Sequence, residues 1–200
     1  IGNFDLKNIC DMEHWKKNLI IMWFCQFLAM LGMSTIVPFL PLFIRELGVN
    51  GIEKTAYWSG WVFAGPFLAS FFLTPVWGSL GDRYGRKLMT LRAIFGLALA
   101  QVLVGLSENV YQLFSARILQ GILSGFLPAA MALVAANTPK SKTAYAIGVL
   151  SSATAAGNIF GPVLGGIASD ILGFRNVFFV VSLLLFITGF IILFLLKKKR

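Results

Sequence analysis

Acidic residues are scarce in this chain. Its 200 residues hold eight Asp and Glu against 17 Lys and Arg. Charged residues of both signs make up only 12%, about half the share of an ordinary soluble domain. The eight acids are Asp5, Asp11, Glu13, Glu46, Glu53, Asp82, Glu108 and Asp170. All fall in tails or between apolar runs, so no carboxylate pair is available for acid–base chemistry. Cysteine is nearly absent too, with Cys10 and Cys25 alone. A disulfide framework is excluded, and no metal-ligand spacing exists. The one histidine, His14, reads as a solvated terminal residue. No phosphate-binding loop or nucleophile triad occurs, which leaves an ATP-driven pump without support. No enzyme activity, metal or cofactor is expected.

What is abundant is apolar: 58% of the residues are hydrophobic. Runs of about 20 such residues mark helices able to cross a hydrocarbon core of about 30 Å. Six are present, at residues 19–44, 57–77, 88–106, 111–134, 144–168 and 174–196. They are continuous rather than alternating, which favours helices over barrel strands. A helix also satisfies its own backbone in lipid. The fold class expected is an all-α membrane protein of six transmembrane helices. Residues 1–18 read as an N-terminal tail, loose over Ile1–Asp11, with Met12 a natural start. The first run is too long for a signal-peptide core.

The net charge of +9 is distributed by side rather than by face. Six spans put the N-terminal segment, residues 78–87, residues 135–143 and the C-terminal end on one side. That side, with Arg92 just inside the third span, holds 13 of the 17 basic residues. The opposite side holds Arg45, Lys54 and Arg175. The positive-inside rule makes the first side cytoplasmic, with both termini inside. The partner expected is a lipid bilayer, the inner cell membrane, and no nucleic acid.

Sliding the chain by 87 residues against itself places Phe39-Leu40-Pro41 on Phe126-Leu127-Pro128. Pro75-Val76 falls on Pro162-Val163 and Gly78 on Gly165. After one inserted residue, Asp82, Gly85 and Lys87 meet Asp170, Gly173 and Arg175. The offset covers three spans, an odd number, so the second copy is inverted. The expected division is a first three-helix repeat at 19–106 and a second at 107–196. Such repeats characterise secondary transporters.

Four motifs carry the chemistry. Gly78-Ser-Leu-Gly81-Asp82-Arg83-Tyr-Gly85-Arg86-Lys87 is a glycine-rich cationic turn with one acid. Arg117, followed by Gln120 three residues on, is a charge well inside a span, where burial costs about 2.5–3.5 kcal/mol. Gly157, Gly161 and Gly165 recur every four residues along one helix face, with Pro162 and Gly166 beside them; small residues let helices approach closely. Gly32, Pro38 and Pro41 punctuate the first span, where Gln26, Ser34 and Thr35 are polar candidates for a cavity wall.

The 78–87 motif resembles the signature between helices 2 and 3 of the major facilitator superfamily. The Gly32–Pro41 region, Arg117-Ile-Leu-Gln120-Gly121 and Gly157-Asn-Ile-Phe-Gly161-Pro162-Val-Leu-Gly165-Gly166 resemble motifs of its drug:proton antiporters, most of all the multidrug efflux members. The resemblance runs from about Met12 to Lys197. It implies a conformational gate at Gly78, Gly81, Asp82, Arg83, Gly85, Arg86 and Lys87. It implies proton coupling at Arg117, and an antiporter motif in the fifth helix. The implied partners are protons, whose gradient is the driving force, a small amphipathic drug-like substrate, and a C-terminal six-helix half. This chain departs from the family in ending at Lys197-Lys-Lys-Arg200, where a basic linker to a seventh helix is expected. It departs again in having no carboxylate inside a span. Other readings are an uptake carrier for a sugar or metabolite and a truncated membrane partner that does not transport.

Overall fold

The computed structural model describes residues 2–195, with side chains from residue 15 onward. Among these residues the chain is helical and has no strand. The helices are α1 (Gly2–Ser34), α2 (Leu40–Glu46), α3 (Ile52–Tyr84), α4 (Arg86–Gly105), α5 (Val110–Leu123), α6 (Phe126–Asn137), α7 (Thr143–Leu172) and α8 (Phe174–Leu195). A single 3₁₀ turn, Lys140–Lys142, leads into α7. Six segments are long and apolar enough to span a membrane, and they match the six runs read from sequence. The basic stretch from Lys197 and the side chains of Cys10 and His14 lie outside the described residues.

The segment read as a loose tail is instead the beginning of α1. No proline falls between Gly2 and Ser34, so nothing in that stretch interrupts the backbone ladder. The second span is also longer than its apolar run. At 33 residues, α3 measures about 50 Å, well beyond the hydrocarbon core. It continues through Pro66 and Pro75 to Tyr84.

Two spans are broken. The first divides between α1 and α2, and the fourth between α5 and α6. Hydropathy runs straight through both breaks, but the backbone does not. In the first, Pro38 and Pro41 end one helix and start the next; Pro41 sits in the first turn of α2, where its missing N–H costs nothing. In the fourth, Gly125 caps α6 with φ +104°, a conformation that favours glycine. Pro128 then occupies the first turn of α6. The Phe-Leu-Pro echo of the 87-residue repeat therefore opens the second piece of a broken helix in both copies.

Packing follows the inverted repeat. Spans one and five pair as α1 on α7, and their counterparts four and two pair as α5 on α3. Spans three and six, α4 and α8, meet each other. Two further links, α1 with α8 and α5 with α4, are again counterparts. Two inverted three-helix repeats thus interlock around one core. Lys87 Nζ donates to the Leu193 carbonyl at 2.9 Å, which fixes the start of α4 beside the end of α8.

Lipid supplies little hydrophobic force between helices, so close approach must. In the α1–α7 seam, a Cβ added to Gly157 would meet the Phe27 carbonyl, Leu31 N and Met30 Cβ within 3 Å. At Gly161 it would strike Ser34 and the Leu31 carbonyl, and at Gly165 Thr35. Ser34 Oγ donates across the seam to the Gly157 carbonyl at 2.9 Å. In the α5–α3 seam, Gly121 rests directly on the backbone of Pro66. Gly166 faces open space. Replacing Gly161→Val is expected to destabilise the fold by about 1–3 kcal/mol or more. Gly166→Ala should be neutral. Thermal unfolding in detergent, followed through tryptophan fluorescence, checks the pair.

Candidate functional site

The 78–87 signature is not a loop. Gly78, Gly81, Asp82 and Arg83 form the last turns of α3, and Arg86 and Lys87 the first turn of α4. Gly85 alone makes the corner, at φ +99°. Most residues cannot hold that angle without strain. The Gly85 N–H closes α3 on the Gly81 carbonyl at 3.0 Å. A Cβ at Gly81 would touch Met89, whereas one at Gly78 meets nothing within 4 Å. Gly78 therefore makes no close helix approach among the described residues.

The corner brings acid and base together. Arg86 Nη2 lies 3.4 Å from Asp82 Oδ1, and Arg86 Nη1 donates to the Ala132 carbonyl of α6 at 2.9 Å. The Asp82 side chain is 75% exposed, so this pair adds little stability. Its carboxylate remains available as an acceptor. Arg83 lies 5.6 Å from the Tyr84 ring. Behind the corner is a cavity of about 100 Å³, lined among others by Asp82, Arg86, Arg92, Trp77 and Gly125.

Sequence reasoning counted Arg92 only as a basic residue. In the structure its guanidinium lies 3.5 Å from the Trp77 ring centroid. Its Nη2 donates to the Ser124 carbonyl at 2.8 Å. Trp77 Nε1 donates to the Ile122 carbonyl at 2.9 Å. No spacing rule links residues 77, 92 and 124; only the broken fourth span brings them together.

Arg117 and Gln120 lie on α5 and are 7% and 2% exposed. Arg117 does not snorkel toward an interface. Its Nη1 donates to Gln120 Oε1 at 3.0 Å, one helical turn away. Its Nε has no protein partner. The pair is enclosed by the bundle, not spread on an open wall. Gln101 of α4 is a further buried amide, missed in the sequence, with neither polar atom paired to protein.

The placement of Gln26 on a cavity wall needs correction. It is fully buried, and its Nε2 donates to Thr154 Oγ1 of α7 at 3.2 Å. The glycine-lined approach of α7 closes that face of α1. Ser34 and Thr35 are likewise turned to the seam or to their own helix, donating to the Met30 and Leu31 carbonyls. Trp23 Nε1 donates to Ser152 Oγ of α7 at 3.0 Å. Gly32 lies against Val181 of α8, where a Cβ would come within 2.8 Å of Cγ1. Pro38 lies in the break after α1, and Pro162 lies within α7. Among the described residues no cluster of His, Cys, Asp or Glu is placed to hold a metal.

Removing the acceptor of Arg117 leaves a buried charge with less compensation. Gln120→Leu is therefore expected to cost about 1.5–3 kcal/mol. Gln112→Leu, at the exposed start of the same helix, should cost less. Parallel thermal melts of the two variants check the order.

Known proteins place this geometry. A family model described as Major Facilitator Superfamily matches residues 22–200. The multidrug resistance protein MdtG of Proteus mirabilis is 45% identical over 185 residues, which is 92% of this chain and 46% of that protein. MdtG of Escherichia coli K12 is 42% identical over 186 residues, 93% of this chain and again 46% of the relative. The chain spans about half the length of the curated relatives it matches. The crystal structure of the human organic anion transporter MFSD10 (TETRAN) superposes with a TM-score of 0.79 at 18% identity. It covers 92% of this chain and 48% of that one, a likeness of fold.

Proposed function

Because the chain belongs to the Major Facilitator Superfamily, as a multi-pass membrane protein with the six-helix architecture of half that fold, we propose that it serves as the N-terminal half of a secondary transporter exporting amphipathic drug-like molecules in exchange for protons. The observation that carries this reading is Arg117, a cation kept inside an apolar span with Gln120 as its one side-chain partner among the described residues. A purely structural helix gains nothing from that burial. A coupling site does, because a fixed buried charge responds strongly to a proton or a substrate arriving nearby. The relatives named as multidrug resistance proteins support the drug class.

The second wall of the pathway belongs to a C-terminal half. Asp82, exposed and only weakly paired, offers that half an acceptor at the gate corner. Gly78, with open space over it, offers a place for a helix to sit. On the positive-inside count this corner is cytoplasmic, both termini lie inside, and the membrane is the inner cell membrane. Glu46, Glu53, Asp82, Glu108 and Asp170 all sit at helix ends or between helices. The proton-accepting acid is therefore assigned to the second half, with Arg117 setting its charge balance.

In everted vesicles carrying the full-length transporter, drug uptake should collapse when a protonophore dissipates the gradient. Uphill uptake that persists would exclude proton antiport, and dependence on one polar metabolite would point to an uptake carrier. Arg117→Leu is expected to lower turnover by roughly tenfold or more, the kinetic equivalent of losing a charged hydrogen bond.

A further inference from the structure

Arg92 is a charge outside both the gate signature and the Arg117 pair, yet it touches the elements carrying each. The end of α5 leaves carbonyls without intrahelical donors. The helix dipole makes that end favourable for a cation. Arg92 Nη2 takes two of these carbonyls, Ser124 at 2.8 Å and Leu123 at 3.4 Å. Trp77 Nε1 takes the carbonyl before them, Ile122, at 2.9 Å. Trp77 also forms the floor on which the Arg92 guanidinium lies, at 3.5 Å. Ser124 Oγ adds a bond to Ser70 Oγ of α3 at 3.1 Å. On the far side of the break, Arg86 holds α6 through the Ala132 carbonyl.

The broken span is therefore gripped on both sides by the gate end of α3 and α4. Arg92 and Trp77 grip the piece that bears Arg117 and Gln120, while Arg86, the partner of Asp82, grips the other. Between them lies Gly125 in a left-handed conformation, a point where the chain turns without resistance from a side chain. Gln120 is four residues from Ser124, about one helical turn. Because α5 is a continuous 14-residue helix, moving its end moves Gln120 and Arg117 with it.

We propose that Arg92, seated on Trp77, is a positioning residue that transmits movement of the gate signature to Arg117 and Gln120 through the break in the fourth span. This rests on the transport reading above. The planar fork suits the task, because one group stacks on the indole and meets two carbonyls; a lysine retains the charge without the fork.

The test uses the full-length protein in lipid nanodiscs with Arg92→Gln, Arg92→Lys and Trp77→Phe. Hydrogen exchange by mass spectrometry should rise roughly tenfold or more in residues 122–129 of Arg92→Gln. Residues 143–172 and 174–195 should be unchanged. Drug turnover in proteoliposomes should fall with KM unchanged, and Arg92→Lys should restore part of both. Unchanged exchange at the break, or a rise spread equally over α7 and α8, would overturn the proposal. So would a local rise with full turnover, since the grip would then couple nothing. If Arg92→Gln does not fold, Trp77→Phe, which keeps the aromatic floor and loses one donor, decides through the same two readouts. If the unaltered protein moves no drug under any gradient, the transport reading fails, while the exchange pattern still reports whether the grip exists.

Discussion

A helix broken inside a membrane leaves backbone carbonyls with no water to turn to. That constraint governs the end of this molecule that carries the 78–87 signature. The carbonyls that close α5 are met by Arg92 and Trp77, and Arg86 reaches α6 beyond the break. Each donor comes from the last turns of α3 or the first turns of α4. The 78–87 signature and the fourth span therefore form one hydrogen-bonded unit. The arginines here do structural work that a count of surface charge attributes to topology alone.

The other organising force is close backbone approach, and the inverted repeat supplies it twice. In one seam the small residues lie on the fifth span, with Gly157, Gly161 and Gly165 pressed against α1. In the counterpart seam the close approach is made by Gly121 of the fourth span on Pro66. The symmetry is thus one of helix arrangement, and each copy has reached close packing with its own residues. The fifth-helix glycine motif has an immediate packing role whatever further role it takes in transport.

Much of this was legible in the sequence. Apolar runs located six spans because hydrocarbon thickness sets their length. The four-residue glycine spacing gave the α7 face because helical periodicity is strict. The breaks were not legible from hydropathy, since Ser124 and Gly125 are small and neutral and their neighbours are apolar. The signal was present in another form: Phe-Leu-Pro recurs at both breaks, and proline in a first helical turn marks a start. Gln26 was misplaced because a polar residue in a span suits a water-filled cavity and a protein seam equally. Arg92 was overlooked because its partners are carbonyls, which carry no side-chain label.

The two breaks also differ in which end of the bundle they approach. The one after α5 lies by Trp77 and Arg92, at the end of the bundle that carries Gly85. The one after α1 lies by Phe174 at the opposite end, where Phe39 stacks on that ring at a centroid distance of 5.4 Å. Inversion of the repeat has turned the two joints toward opposite ends of the bundle. Each end of the bundle therefore carries its own short helix beyond a joint, α2 at one and α6 at the other, and each joint abuts a close backbone contact, Gly165 on Thr35 and Gly121 on Pro66.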